Sequence, residues 1–210
     1  RIHLGIYGKW TWVKLDQQTD YFLSPVKGEV RARFYSDSEL AELRGPTVCE
    51  LITTEQVAEV KHRLGPDPLN DNPTSVELEK FTARVIKSEK PIALLLMDQS
   101  VISGVGNVYR AELLFRARLD PFCQGKNLSE TQIKSIWEDA STLLRVGVRH
   151  GVMLTREEHF ETGAPVEDRY FVYKRESQSC RICGGEIALT ILGGRKLYWC
   201  TSCQKEKGPV

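Results

Sequence analysis

Apolar positions change rhythm about a third of the way along the chain. Early on they alternate: Val30, Ala32 and Phe34 are interleaved with Arg31 and Arg33, which predicts a strand over residues 29–35. Residues 1–13, running from Arg1-Ile2-His3 to Trp12-Val13, read as a strand entered in its middle. Beyond residue 73 the spacing is helical. Thr74 or Ser75 can cap a helix through Val76, Phe81, Val85 and Ile86, with Glu77 and Glu79 near its positive end. Ser129-Glu130-Thr131-Gln132 is a capping box for a helix whose apolar stripe is Ile133, Ile136, Trp137, Ala140, Leu143 and Leu144. Between these two, a short apolar helix around Leu94-Leu95-Leu96-Met97 leads into a glycine-bearing turn. Asn107 then stands at a natural cap position before a second amphipathic helix. Residues 187–192 mix apolar and polar side chains as a short strand would, and Gly193-Gly194 closes a hairpin with Arg195 and Lys196 at its tip. The run Gly65-Pro66-Asp67-Pro68-Leu69-Asn70-Asp71-Asn72-Pro73 concentrates turn-forming residues and reads as an interdomain linker.

Cysteine spacing adds chemistry to this outline. Cys180-Arg181-Ile182-Cys183 and Cys200-Thr201-Ser202-Cys203 are two CxxC knuckles at the base of the expected hairpin. Two sulfurs on each of two tight turns make the closed tetrahedral shell of one structural zinc, with no open position for catalysis. Only Cys49 and Cys123 remain, so there is no disulfide framework, and zinc thiolates suit a reducing compartment, here the cytoplasm with its nucleoid. His62, His150 and His159 have no partners at metal-ligand spacing. The acidic residues Glu157, Glu158, Glu161, Glu167 and Asp168 look like a solvated loop.

Composition excludes more than it selects. Hydrophobic content of 41% and charged content of 27% are those of a globular protein, and no apolar run approaches the ~20 residues that span a bilayer. A formal net charge of +1 means that any nucleic-acid surface must come from charge gathered on one face. Two features offer such a face. The glycine-bearing turn before Asn107 would present free N–H groups and a helix dipole to a phosphate, and the basic hairpin tip would present Arg195 and Lys196.

The order of these features resembles the formamidopyrimidine-DNA glycosylase and endonuclease VIII family. The residues that carry it are Leu96-Met97-Asp98-Gln99, Gly104-Val105-Gly106-Asn107-Val108-Tyr109, and the finger from Cys180 through Arg195 to Cys203-Gln204. Arg195-Lys196-Leu197-Tyr198-Trp199-Cys200 is closer to the endonuclease VIII branch. The resemblance implies an α+β chain. Residues 1–64 would be the C-terminal part of a β-sandwich-like catalytic domain, 65–75 a linker, 76–170 a helix-two-turn-helix domain and 171–210 a zinc finger. It also implies roles. Asn107, with Gly106, would bind phosphates flanking a lesion; Arg195, with Lys196, would grip the backbone at the damaged nucleotide and serve δ-elimination. Arg63 is similar in placement to a DNA-contacting arginine of endonuclease VIII. The implied partner is double-stranded DNA carrying an oxidised base, a pyrimidine on this branch, or an abasic site, bound by a monomer.

The family's nucleophile is the amine of an N-terminal Pro, followed by a Glu, with a Lys on a hairpin. Attack on the sugar gives a Schiff base and then β,δ-elimination. That motif does not occur in these residues, so the chain is expected to bind DNA without excising bases. A competing expectation is a non-catalytic damaged-DNA-binding or zinc-ribbon adaptor protein.

Overall fold

The early alternation is realised as short antiparallel strands in a computed structural model, which describes residues 1–5, 7–15, 26, 28–70 and 76–205. The strand expected over residues 1–13 is split. β1 (Ile2–His3) and β2 (Lys9–Lys14) flank a turn in which Gly5 takes a φ of +65°, a left-handed conformation that breaks pleated chain. β3 (Val30–Tyr35) and β4 (Glu39–Arg44) complete a sheet in the order β2-β4-β3, and β1 pairs separately with β5 (Val48–Cys49). The central strand buries Leu40, Ala41 and Leu43, while Trp12 and Phe34 remain 67% and 54% exposed. Ile2, Trp10, Trp12 and Phe34 line an open apolar cleft of about 350 Å³ on this unit.

Glu42 on β4 is held between two guanidinium groups. Arg33 Nη2 lies 2.7 Å from its carboxylate and Arg44 donates to the other oxygen. The Arg44 hydrogen bond, supported by Arg33, keeps this carboxyl below its ordinary value against the opposing pull of desolvation. The folded chain therefore binds fewer protons here than the unfolded chain in mild acid. The stabilisation is complete above the unfolded value of ~4.3 and is lost as pH falls through the lower folded value. Thermal midpoints of the chain and of Glu42→Gln should differ at pH 6, and the difference should shrink as the pH falls below ~4.3; a constant difference would contradict the ion-pair account.

The chain divides into two units, residues 1–61 and 62–210, and α1 (Thr54–Arg63) spans the division. The second unit holds α2 (Val76–Val85), α3 (Ile92–Leu95), α4 (Asn107–Arg116) and α5 (Glu130–His150). Their stripes meet in a core that includes Phe81, Ile92, Leu113, Ile133 and Leu143. The capping box of α5 forms as its sequence requires, with the Ser129 hydroxyl accepting from Gln132 N and Gln132 Oε1 accepting from Ser129 N. Thr74 and Ser75, expected to cap α2, lie outside the described residues. Among the described residues no helix is long and apolar enough to cross a membrane.

The Gly-Pro run after α1 is fastened to this unit at its start. Gly65 N donates to Gln99 O at 2.7 Å, Ser103 N to Pro66 O at 2.9 Å and Ser141 Oγ to Pro68 O at 2.9 Å. A Cβ on Gly65 would stand 2.7 Å from Ser100 O, so only glycine allows the approach.

β6 (Ile187–Leu192) and β7 (Arg195–Cys200) form the expected hairpin, and Gly193 and Gly194 have φ of +61° and +71°, as a two-residue hairpin loop demands. Leu197 from one hairpin face enters the helical core, with Leu192 and Trp199 packed against it. Ile187, Tyr198 and Cys200 from the other face form a second core with Ala111 and Phe115 of α4. Helices and hairpin thus share one unit.

Candidate nucleic-acid interface and metal centre

The turn that precedes α4 is stiffened by side chains. Gln99 Nε2 donates to Val105 O at 2.7 Å and its Oε1 accepts from Gly104 N, while Asp98 accepts from Ser100 N and Oγ. These bonds explain Met97-Asp98-Gln99-Ser100 as a turn-building motif. The cap itself differs from expectation. Gly106 is the N-cap, with φ −119° and ψ −169°, and Asn107 is the first residue of α4. The Asn107 side chain is drawn away from the helix end because its Nδ2 donates to Lys196 O at 2.9 Å, and its Oδ1 accepts from Arg110. A Cβ on Gly106 would meet nothing within 4 Å, so the chain leaves open space at this helix end.

Asn107, Gly106, Arg195 and Lys196 are therefore brought together, and Arg195 and Lys196 are exposed. Arg63, the last residue of α1, is exposed and makes no hydrogen bond to this group among the described residues.

Two charged residues of α4 were given no role by their sequence pattern. Arg110 is fully buried; it donates to Asn107 Oδ1, to Lys196 O at 3.1 Å and to Leu192 O at 3.4 Å. Burial, with the Arg195 cation nearby, pulls its guanidinium down to about 10. Glu112 is also fully buried and accepts from Phe171 N, Val172 N and Tyr173 N, each at 2.8 Å, and from Thr155 Oγ1 at 2.6 Å. Helical spacing was the available signal, since polar residues at 107, 110 and 112 interrupt an otherwise buried helix.

Of the acidic residues that follow, Glu157, Glu158, Glu161 and Asp168 are paired with arginines. Arg116 forms a two-point bond with Asp139 at 2.7 and 2.8 Å and reaches Glu157, while Arg181 between the first two cysteines lies 3.2 Å from Asp168. His150, at the end of α5, shares a hydrogen bond with Phe160 O. Cys123 packs against the helical core.

The four knuckle sulfurs lie within 4.8 Å of one another. Cys180 Sγ is 3.9 Å from Cys203 Sγ, and Cys183 Sγ is 3.4 Å from Cys200 Sγ. Sulfurs about 2.3 Å from a tetrahedral ion stand about 3.8 Å apart, so the set fits one metal ion. Backbone N–H groups of Ile182, Gly185 and Cys203 point at three of the sulfurs, the usual support for thiolate ligands. The Gly185 N–H holds the Cys183 thiol down at about 7, whereas burial pushes Cys203 up to about 12 and raises Cys200 as well. A cation is what allows such a set to be ionised together. Gln204, 2% exposed, ties the second knuckle to the turn after α4: its Oε1 accepts from Cys200 N and its Nε2 donates to Leu119 O.

Comparison with known proteins agrees with this geometry. The formamidopyrimidine-DNA glycosylase H2TH domain matches residues 64–158. Endonuclease 8 1 of Mycobacterium tuberculosis is 44% identical over 210 residues, covering 97% of this chain and 75% of that protein. A formamidopyrimidine-DNA glycosylase of Oceanobacillus iheyensis is 33% identical, covering 89% of this chain and 68% of its own. Among solved structures, the Lactococcus lactis formamidopyrimidine-DNA glycosylase bound non-covalently to DNA with an abasic site superposes with a TM-score of 0.78. It is 25% identical, and the match covers 97% of this chain and 73% of that one. With its helices, four-sulfur finger and these relatives in agreement, the chain belongs to the formamidopyrimidine-DNA glycosylase and endonuclease VIII family, whose members excise damaged bases in DNA repair.

Proposed function

We propose that this chain grips duplex DNA at an oxidised base or abasic site, as the DNA-holding part of a bifunctional glycosylase and abasic-site lyase. The observation that carries the reading is the hydrogen bond from Asn107 Nδ2 to the carbonyl of Lys196, the neighbour of Arg195. It ties a helix terminus and a cationic hairpin tip, two kinds of phosphate anchor, into one surface. Excision requires the damaged nucleotide to be turned out of the stack, and a strand so distorted is held through its phosphates. Arg195 supplies a forked, permanently charged donor at the tip. Lys196 and the open space at Gly106 complete the surface, and Arg63 would add a contact outside it. Four thiolates in a closed set favour zinc, which would hold Arg195 in place and take no part in the chemistry. Oxidised pyrimidines are the substrate class of the branch that Arg195-Lys196-Leu197 resembles. Such a protein would act as a monomer, in the cytoplasm with the nucleoid.

The test is a gel shift on duplex DNA carrying an abasic site, run beside undamaged DNA and borohydride trapping. Preferential binding to the abasic duplex is expected, and equal binding to both duplexes would sink the reading. A trapped adduct would place a reactive amine within these residues. Replacing Arg195 by Ala should weaken binding about tenfold and lower the slope of log affinity against log salt by about 1, because one phosphate contact is lost. Measured over a salt series, an unchanged slope would remove Arg195 from the phosphate contacts.

A further inference from the structure

Arg110 is a buried cation whose partners are all neutral oxygens. It is 0% exposed, forms no ion pair among the described residues, and its Nε has no hydrogen-bond partner. Interiors rarely leave a guanidinium without a carboxylate unless another anion completes it or the group orients something else. Its geometry points to orientation. A guanidinium only donates and a carbonyl only accepts. The bonds from Arg110 to Asn107 Oδ1 and from Asn107 Nδ2 to Lys196 O therefore allow one rotamer of the Asn107 carboxamide and forbid its flip. In that rotamer the oxygen faces inward to Arg110, and one Nδ2 proton is left over beyond the bond to Lys196. Arg110 also holds Lys196 O and Leu192 O, one on each hairpin strand beside the Gly193-Gly194 turn.

We infer that Arg110 is a positioning residue for DNA binding. It turns the Asn107 carboxamide so that an N–H, and not the oxygen, faces an incoming phosphate. This rests on the reading of Asn107 and Arg195 as phosphate anchors. The nearby Arg195 cation repels Arg110, and a phosphate at the surface would relieve both.

The experiment is fluorescence anisotropy of a labelled duplex containing a tetrahydrofuran abasic analogue, titrated with the chain over a salt series. Arg110→Met should bind about tenfold more weakly with an unchanged salt slope, because the residue orients a neutral contact and makes none itself. Adding Asn107→Ala to Arg110→Met should cost little more, whereas Asn107→Ala alone should cost about as much as Arg110→Met. Arg110→Lys keeps the charge and most of the volume, so it folds even where Arg110→Met does not. One ammonium cannot serve three oxygens in two directions, and it too should bind about tenfold more weakly. Full affinity in Arg110→Lys, a salt slope lowered by about 1 in Arg110→Met, or additive losses at positions 107 and 110 would each overturn the assignment. If instead Asn107→Ala and Arg195→Ala both bind like the unsubstituted chain, the DNA-grip reading itself fails, a result that neither Arg110 variant could produce.

Discussion

Removal of the metal by a strong chelator is expected to weaken DNA binding severely while leaving the helices folded. Metal binding contributes on the order of 10 kcal/mol to domains of this kind, more than the packing of a hairpin of two six-residue strands can replace. Cys180 and Cys200 are themselves part of the core that joins Ile187 and Tyr198 to α4, so loss of the ion opens that core directly. The core of α2 to α5 around Phe81, Ile92, Leu113, Ile133 and Leu143 contains no ligand sulfur. Helical circular dichroism should persist while trypsin gains access to Lys174, Arg175 and Arg181, and affinity for abasic duplex should fall by about 100-fold or more, the loss expected when both the charge and the placement of the tip go. Acid should also release the ion, because thiolate ligands must be deprotonated to hold it. Undiminished affinity after complete removal, verified by elemental analysis, would make the finger dispensable for binding.

The second large effect is expected from Glu112→Gln, a change of one atom. The carboxylate accepts from four donors, with Val172 N and Tyr173 N on one oxygen and Thr155 Oγ1 and Phe171 N on the other. A carboxamide can keep the first pair but turns an NH2 toward the second. The Thr155 hydroxyl can rotate to accept; the Phe171 N–H cannot, and it stays buried against another donor. The cost should be about 3 kcal/mol, that of breaking a charge-assisted buried set, and the thermal midpoint should fall by on the order of 10 °C. Hydrogen exchange should locate the loss at the amides of residues 171–173. Unchanged exchange there would mean that the three bonds contribute little.

The sequence was most legible where structure is local. The capping box of α5, its apolar stripe and the Gly-Gly turn each depend on residues within a few positions, and each formed as read. The clustering of the four cysteines was legible because CxxC spacing carries its own geometry. Non-local pairing hid the rest. Asn107 looked like a cap because Asn commonly caps, but its partner is the carbonyl of a residue 89 positions away. Arg110 answers to Lys196 and Leu192 besides its neighbour Asn107, and Glu112 to residues 43 to 61 positions on, and no local pattern names these remote partners. The Gly-Pro run reads as an interdomain linker from its turn-forming composition, which does not disclose that the backbone at its start bonds to the loop before α4.

The finger hairpin is closed at both ends, by a two-residue turn that needs left-handed backbone and by a set of sulfurs that accepts little displacement. Such a frame behaves as a ruler. With five steps of extended strand from one to the other, Arg195 and Cys200 are about 17 Å apart, and that reach is set by residue count and not by side-chain identity. Outward positions such as Leu189 and Ile191, 39% and 63% exposed, can therefore change with little consequence. One residue inserted between the turn and the sulfurs would instead send Arg195 to the opposite face of the strand. Length, more than composition, is the quantity that this part of the chain must keep.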